Sequence, residues 1–251
     1  MSSAYHLLID PPLAGPWNMA VDEALLDDAA QSGRAYWRFY QWQEPTLSLG
    51  YFQEYEEQAR RYRQRGLTMV RRLTGGGAIL HDRELTYSVV LPRHHPLARS
   101  RDDLYGTVHR SVVAILGEWG LAGQLFVAGG AKPANEPFLC FERRAPGDVL
   151  AGGSKVTGSA QRRRRGAVLQ HGSVLLAASG AARHLPGVGE LAHCTVDADE
   201  LVRRWLGELS EGLGGEWQPF RLTESIHARA ADLLVDKYLT ESWLRERRVP
   251  L

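Results

Sequence analysis

The stretch Arg71-Arg72-Leu73-Thr74-Gly75-Gly76-Gly77-Ala78-Ile79-Leu80-His81-Asp82 carries more information than any other part of the chain. A strand-like run from Leu67 to Arg72 feeds three consecutive glycines, and a second strand-like run opens toward His81. Three adjacent residues without Cβ let a backbone bend sharply and lie against a ligand at van der Waals distance. A tight bulge in a hairpin is the plainer alternative. The spacing fits neither a phosphate loop nor a dinucleotide fingerprint.

Outward from the glycines, short strands recur. Tyr5 to Ile9, Ala78 to His81 and Leu85 to Leu91 read as strands, and Tyr36 to Tyr40 and Thr46 to Tyr51 are rich in aromatic and β-branched residues. Val149 to Leu150, Lys155 to Gln161 and Ala167 to Leu176 read as a meander of strands. Trp17 to Ala30 reads as an amphipathic helix with Asp22, Glu23 and Asp27 on its polar side. Glu54 to Arg65 and Asp102 to Trp119 are further helices, and Gly129 to Pro146 is loop-like. From Ser179 onward the chain reads as mostly helical, with long pieces at Glu200 to Leu213 and Thr223 to Arg248. Strands that neighbour one another rather than alternate with helices favour α+β, with mixed and antiparallel sheets flanked by helices in a single domain.

Composition narrows the function classes. The 251 residues are 44% hydrophobic and 24% charged, as in an ordinary globular protein. Thirty basic and twenty-nine acidic residues leave a formal charge of +1, so no global field points to nucleic acid. Only Cys140 and Cys194 are present, too few for a disulfide framework, which makes a reducing cytoplasm the expected compartment. No apolar run approaches the ~20 residues needed to cross a bilayer, so no membrane association is expected.

Three segments carry candidate chemistry. In Gly152-Gly153-Ser154-Lys155-Val156-Thr157-Gly158-Ser159-Ala160-Gln161, Lys155 stands in a strand of small residues, where its ammonium can hold a carboxylate, an acyl-phosphate or a polarised carbonyl; an exposed strand lysine is the alternative. In Gln170-His171-Gly172-Ser173, His171 suits either a substrate contact or a core hydrogen bond. Cys140, in Phe138-Leu139-Cys140-Phe141-Glu142, is a buried small hydrophobe or, beside an ammonium, a nucleophile. The run Arg162 to Arg165 is expected at a hairpin tip, as a solvated feature or as a docking point for an acidic protein.

Together these segments resemble the lipoate/octanoate attachment superfamily, which also holds the biotin protein ligases. The resemblance runs in order through Asn18 to Leu26, Arg38 to Trp42, Thr46 to Gln53, Arg71 to Asp82, Glu84 to Val89, Lys155 to Gln161 and Gln170 to Ser173. Cys140-Phe141, a short distance before Lys155, is similar to the nucleophile segment of the cysteine-dependent octanoyltransferases. The resemblance implies one catalytic domain over residues 1–251, with an acyltransferase core at about 5–176 and a mostly helical remainder at about 179–251. It implies Cys140 and Lys155 as catalytic residues. Substrate contacts would come from Arg72, Gly75, Gly76, Gly77, His81, Gly158, Ser159, Ala160 and His171. The implied donor is octanoyl-acyl carrier protein and the implied acceptor a lysine of a lipoyl-domain protein or glycine-cleavage H-type protein, with no cofactor and no metal.

Two departures keep an alternative in view. Octanoyltransferases often carry Gly-Gly-Arg where this chain has Gly75-Gly76-Gly77, and alanine where it has Thr157. Triple glycine is common in ATP-dependent lipoate–protein ligases, which would need ATP and Mg2+ and leave Cys140 incidental. An amidotransferase using the same cysteine, a catalytically silent module that binds acylated carriers and, last, a biotin ligase are the remaining readings.

Overall fold

A computed structural model describes residues 4–127 and 136–249. Strand β1 (Ala4–Ile9) leads through helix α1 (Gly15–Ser32) to β2 (Ala35–Tyr40) and β3 (Thr46–Leu49). Helix α2 (Glu57–Gln64) precedes β4 (Thr68–Arg71), β5 (Ile79–His81) and β6 (Glu84–Pro92). Helix α3 (Arg101–Glu118) and β7 (Gly123–Leu125) follow, then a 3₁₀ turn at Cys140–Glu142. Strands β8 (Val149–Ala151), β9 (Ser154–Arg164) and β10 (Ala167–Leu175) come next. The chain ends with α4 (Val188–Ala192), α5 (Ala198–Leu213), β11 (Glu216–Pro219), α6 (Glu224–Leu233), a π turn at Leu234–Tyr238, and α7 (Glu241–Glu246).

The strands form two sheets. The larger runs β11-β1-β2-β6-β10-β9-β8-β7, and the smaller β4-β3-β5. From β2 to β7 every pairing is antiparallel, whereas β1 runs parallel to both β2 and β11. This is the α+β architecture expected from the sequence. Alternation along β2 shows how the sheet is buried on both sides. Trp37 and Phe39 pack with Leu104, Val108, Val112 and Trp205 of α3 and α5, while Tyr36 and Tyr40 pack with Met19, Leu25 and Leu26 of α1. Strands β6 and β10 are buried along their whole length, each large apolar side chain contributing about 1.5–3 kcal/mol.

Helix starts follow local chemistry. Ser100, Asp197, Thr223 and Thr240 each accept a backbone N–H of the first turn with their side chains. Thr240 also explains why the long helix expected from Thr223 to Arg248 is broken. Its hydroxyl donates to the Lys237 carbonyl and caps α7, so the chain turns through the π segment and restarts. The expected loop from Gly129 to Pro146 lies partly outside the described residues, and its described part holds the 3₁₀ turn that Cys140 opens.

Two expectations are corrected. Helix α1 has no solvated acidic face: Asp22, Glu23 and Asp27 are buried at 1%, 1% and 5% exposure. Arg38 pairs with Asp22, Lys237 and Arg164 with Glu23, and Arg229 with Asp27, so cations from distant elements neutralise acids that local periodicity places outside. The arginine run is likewise not a freely solvated tip. Arg162 lies over the Tyr51 ring, Arg163 donates to the Ala98 carbonyl, and Arg164 is committed to Glu23. Arg165 alone of the four sits in the turn, with a side chain 64% exposed.

Candidate active site

The glycine segment does not close a hairpin. Strands β4 and β5 lie on opposite sides of β3 and pair with it rather than with each other, so residues 72–78 cross over the end of β3. Gly76 makes this crossing with φ +96, a conformation L-residues rarely adopt. Its carbonyl lies so close to Gly50 that a Cβ there would come within 1.9 Å. The crossing forms the roof of a largely apolar cavity of about 490 Å3, solvent mouth included.

Sheet register builds the floor. Arg38, Ser88, His171 and Ala160 lie side by side across β2, β6, β10 and β9, and Tyr40, Thr86, Ser173 and Gly158 form the next row. Asp22 stands above the first row. It accepts from Arg38 at 2.9 Å, from Ser88 at 2.9 Å and from Tyr40 at 3.1 Å. His171 joins Asp22 through Nδ1 at 3.1 Å and Thr74 through Nε2 at 2.6 Å, linking helix, floor and glycine roof. Burial alone would raise the Asp22 carboxyl, but the His171 hydrogen bond and the Arg38 charge outweigh it and hold the group below the usual carboxylate range.

A second relay supports the opposite wall. His81 stacks on Trp42 at 3.8 Å, and its Nδ1 and Nε2 each lie 2.7 Å from a partner, Glu84 and Ser48. Burial lowers its pKa despite Glu84, so a neutral ring donates to the carboxylate and accepts from the serine. Thr86 and Ser173, which also line the cavity, donate their hydroxyls to Glu84. Arg72 spends four hydrogen bonds on Ser48, Gly75 and Gly77, shaping the turn; burial brings it down to about 10, still charged at neutral pH.

Cys140 sits at the rim. Its N–H donates to the Ala78 carbonyl at 2.6 Å, while Ala78 donates to the Phe138 carbonyl at 3.0 Å. This two-rung ladder seats the thiol 3.8 Å from where a Cβ on Gly76 would lie. Lys155 reaches the same point from β9. Its Nζ lies 3.7 Å from Cys140 Sγ, 3.3 Å from the Cys140 carbonyl oxygen and 2.8 Å from Asp148 Oδ2. The lysine stem crosses Gly158, where a Cβ would come within 2.5 Å of Cε. An ammonium beside a half-buried thiol at the edge of an apolar cavity suits attack by sulfur on a carbonyl.

The structure gathers the residues singled out from sequence. Arg72, Gly75, Gly76, His81, Cys140, Gly158, Ser159, Ala160 and His171 line this one cavity. Gly77 contributes its carbonyl to Arg72, and the Ser159 hydroxyl turns away toward His109 and Tyr87. Cys194 is exposed and outside this cavity. Sequence reading missed Asp148, Glu84 and the Asp22–Arg38 pair as parts of the site. For Asp148 the available signal was slight, a Pro146-Gly147-Asp148 turn seven residues before Lys155. One departure from the octanoyltransferase pattern gains a physical reading. A Cβ on Gly77 would meet the Arg143 guanidinium and the Phe138 carbonyl at 3.0 Å, so Arg143 fills the space an arginine at 77 would need.

Comparison with known proteins assigns the family and the fold. Residues 15–196 match the lipoyl protein ligase A/B catalytic domain. The chain is 35% identical to the octanoyltransferase LipM of Moorella thermoacetica, over 96% of this chain and 97% of that protein. A T. acidophilum protein solved with bound lipoic acid superposes with a TM-score of 0.79 at 26% identity, covering 98% of this chain and 99% of that one. A lipoate-protein ligase A bound with ATP gives 0.75 at 25% identity, with coverage of 98% and 99%. No described helix is long and apolar enough to cross a membrane. The chain belongs to the lipoyl protein ligase A/B catalytic-domain family, as an acyltransferase of that family.

Proposed function

We propose that this protein moves an octanoyl group from the thioester of acyl carrier protein, through a thioester on Cys140, to a lysine of a lipoyl-domain or glycine-cleavage H-type protein. The observation that carries this reading is the placing of Cys140 Sγ 3.7 Å from Lys155 Nζ at the rim of the cavity. Similarity to the Moorella thermoacetica octanoyltransferase over nearly the whole chain supports the acyl group and the reaction class.

The octanoyl chain occupies the cavity between the glycine roof and the floor of β6, β9 and β10. Cys140 sulfur attacks the thioester carbonyl, the bond to the carrier sulfur breaks, and the carrier thiol leaves with the proton. The Lys155 ammonium faces the oxygen on which negative charge develops. The acceptor ε-amine then attacks the enzyme thioester, forming an amide and regenerating the Cys140 thiol. Thioester exchange is nearly isoenergetic and amide formation is downhill, so the scheme uses no ATP.

The test is the intact mass of the protein after incubation with octanoyl-acyl carrier protein in the absence of ATP. An octanoyl adduct, labile to neutral hydroxylamine and lost in Cys140→Ala, is expected. AMP release from ATP with lipoate or octanoate, unaffected by Cys140→Ala and without any adduct, would replace this reading with the ligase one.

A further inference from the structure

Lys155 has a second partner that the acyl-transfer scheme does not use. Its Nζ is 2.8 Å from Asp148 Oδ2, and both residues are buried, at 6% and 1% exposure. Behind the carboxylate, the Tyr105 hydroxyl donates to Oδ1 at 3.0 Å and the Ala145 N–H to Oδ2 at 2.7 Å. Three donors, one of them the Lys155 Nζ, thus converge on this one buried carboxylate.

The other groups facing the pair add no competing charge from α3. Tyr105 is held protonated by burial and by Asp148. His109 is pulled down to about 4 by burial, its Nδ1 on the Gly147 carbonyl and its Nε2 on Ser159. On the cavity side stand Cys140, the Phe141 ring at 5.3 Å from Nζ, and Arg72, whose guanidinium lies 3.1 Å from where a Cβ on Gly76 would be, against 3.8 Å for the thiol.

We propose that Asp148 is a positioning residue that fixes Lys155 as an ammonium aimed at Cys140, so that Lys155 acts through its charge and not as a proton acceptor. This rests on the octanoyl-transfer reading. An ammonium held by a carboxylate has no lone pair with which to take the thiol proton. It stabilises the Cys140 thiolate and the negative charge on the thioester oxygen instead. In that step the Cys140 sulfur–carbon bond forms and the donor sulfur–carbon bond breaks. The proton shed by Cys140 ends on the donor thiol.

The chain has three lysines, Lys132, Lys155 and Lys237, which makes a direct measurement practical. With lysine-selective 13C labelling, the Cε resonance of Lys155 is assigned by Lys155→Arg and titrated from about pH 6 to about pH 11. In the unmodified protein it keeps the ammonium shift throughout the neutral range. In Asp148→Asn its titration moves to lower pH. A Lys155 already neutral at pH 7, or one whose titration ignores Asp148→Asn, overturns the proposal. This readout needs no acyl donor, so it stands even where the octanoyl adduct is never found.

Single-turnover octanoylation supplies the kinetic arm. Asp148→Asn is expected to slow acylation about 10- to 100-fold and to lose activity at lower pH than the parent. Asp148→Glu keeps the parental pH dependence at reduced rate. A faster reaction at neutral pH in Asp148→Asn would mean that the neutral amine is the working form. A slower reaction with an unchanged pH profile would leave Asp148 a purely structural role. Either result sinks the idea.

Discussion

Two buried carboxylates, Asp22 on α1 and Asp148 just before β8, hold residues around the same cavity, and they are used differently. Asp22 projects from α1 onto the floor, where Arg38, Ser88, Tyr40 and His171 fill its valences. Asp148 is held by Tyr105 of α3, and its cationic partner Lys155 still faces Cys140 and the cavity. The first is a closed circuit of charge, and the second has one arm left over. A network with no spare valence fixes shape, whereas one ending in a cation beside a thiol is placed for chemistry.

The sharpest way to break this contrast is to neutralise each carboxylate and compare stability with rate. Asp22→Asn removes one of two counterions from Arg38, which has no exposure, and leaves Asp10 at 2.7 Å as the other. Chemical denaturation is expected to show a loss of about 3 kcal/mol, the lower end for breaking a buried pair from one side, because Asp10 still faces Arg38. Asp148→Asn should cost about 2 kcal/mol, because the Lys155 head can turn toward the cavity mouth, and should be felt chiefly in acylation. Equal stability losses in the two variants would erase the distinction.

Acid offers a second, smaller contrast. His109, beside Asp148, has its folded pKa depressed to about 4 by burial. Its unfolded value is about 6.5, so the unfolded chain binds the extra proton first. The stability His109 contributes is therefore complete above about pH 6.5 and lost as pH falls toward about 4. Asp22, depressed as well, contributes stability present above the unfolded carboxylate value of about 3.9 and lost only as pH falls through its lower folded value. Thermal melts from neutral to acid pH should lose stability in the His109 window first. A His109→Gln variant should flatten that part of the curve and leave the lower limb intact.

The smallest predicted effect concerns the arginine turn. Arg164→Ala removes a charge partner of buried Glu23, whereas Arg165→Ala removes a mostly exposed side chain 3.7 Å from Asp27. Urea denaturation should give about 2 kcal/mol for the former and no more than about 0.5 kcal/mol for the latter. Comparable values for both would restore the freely solvated tip expected from sequence.

Much of the fold was legible because the strands advertise themselves. The aromatic and β-branched runs at Tyr36 to Tyr40 and Leu85 to Leu91 leave little choice of conformation, and β2 and β6 contain them nearly residue for residue. The glycine triplet was legible as a place of close approach but not as a crossover. Which strand lies between β4 and β5 depends on β3, a partner that local sequence cannot name. The polar pairs were least legible. Asp22, Glu23 and Asp27 obey helical periodicity as a solvent face, and only the arrival of Arg38, Lys237 and Arg229 from distant positions reverses it. Asp148 gives no periodic signal, because its importance comes from the Lys155 head folding back over Gly158 to meet it. Cys140 and Lys155 were found together through resemblance, and the described geometry places them within 3.7 Å.

The ladder between Cys140 and Ala78 has a practical consequence. A cysteine on an independent loop would let an attached label tumble with that loop. Here the backbone of Cys140 is tied to the strand that leaves the glycine turn, through the bonds of Cys140 and Ala78. A fluorophore or spin label alkylated onto this thiol would inherit the turn's own mobility. Its anisotropy would then read the stiffness of the cavity roof, with the cavity empty or filled, from a single attachment point.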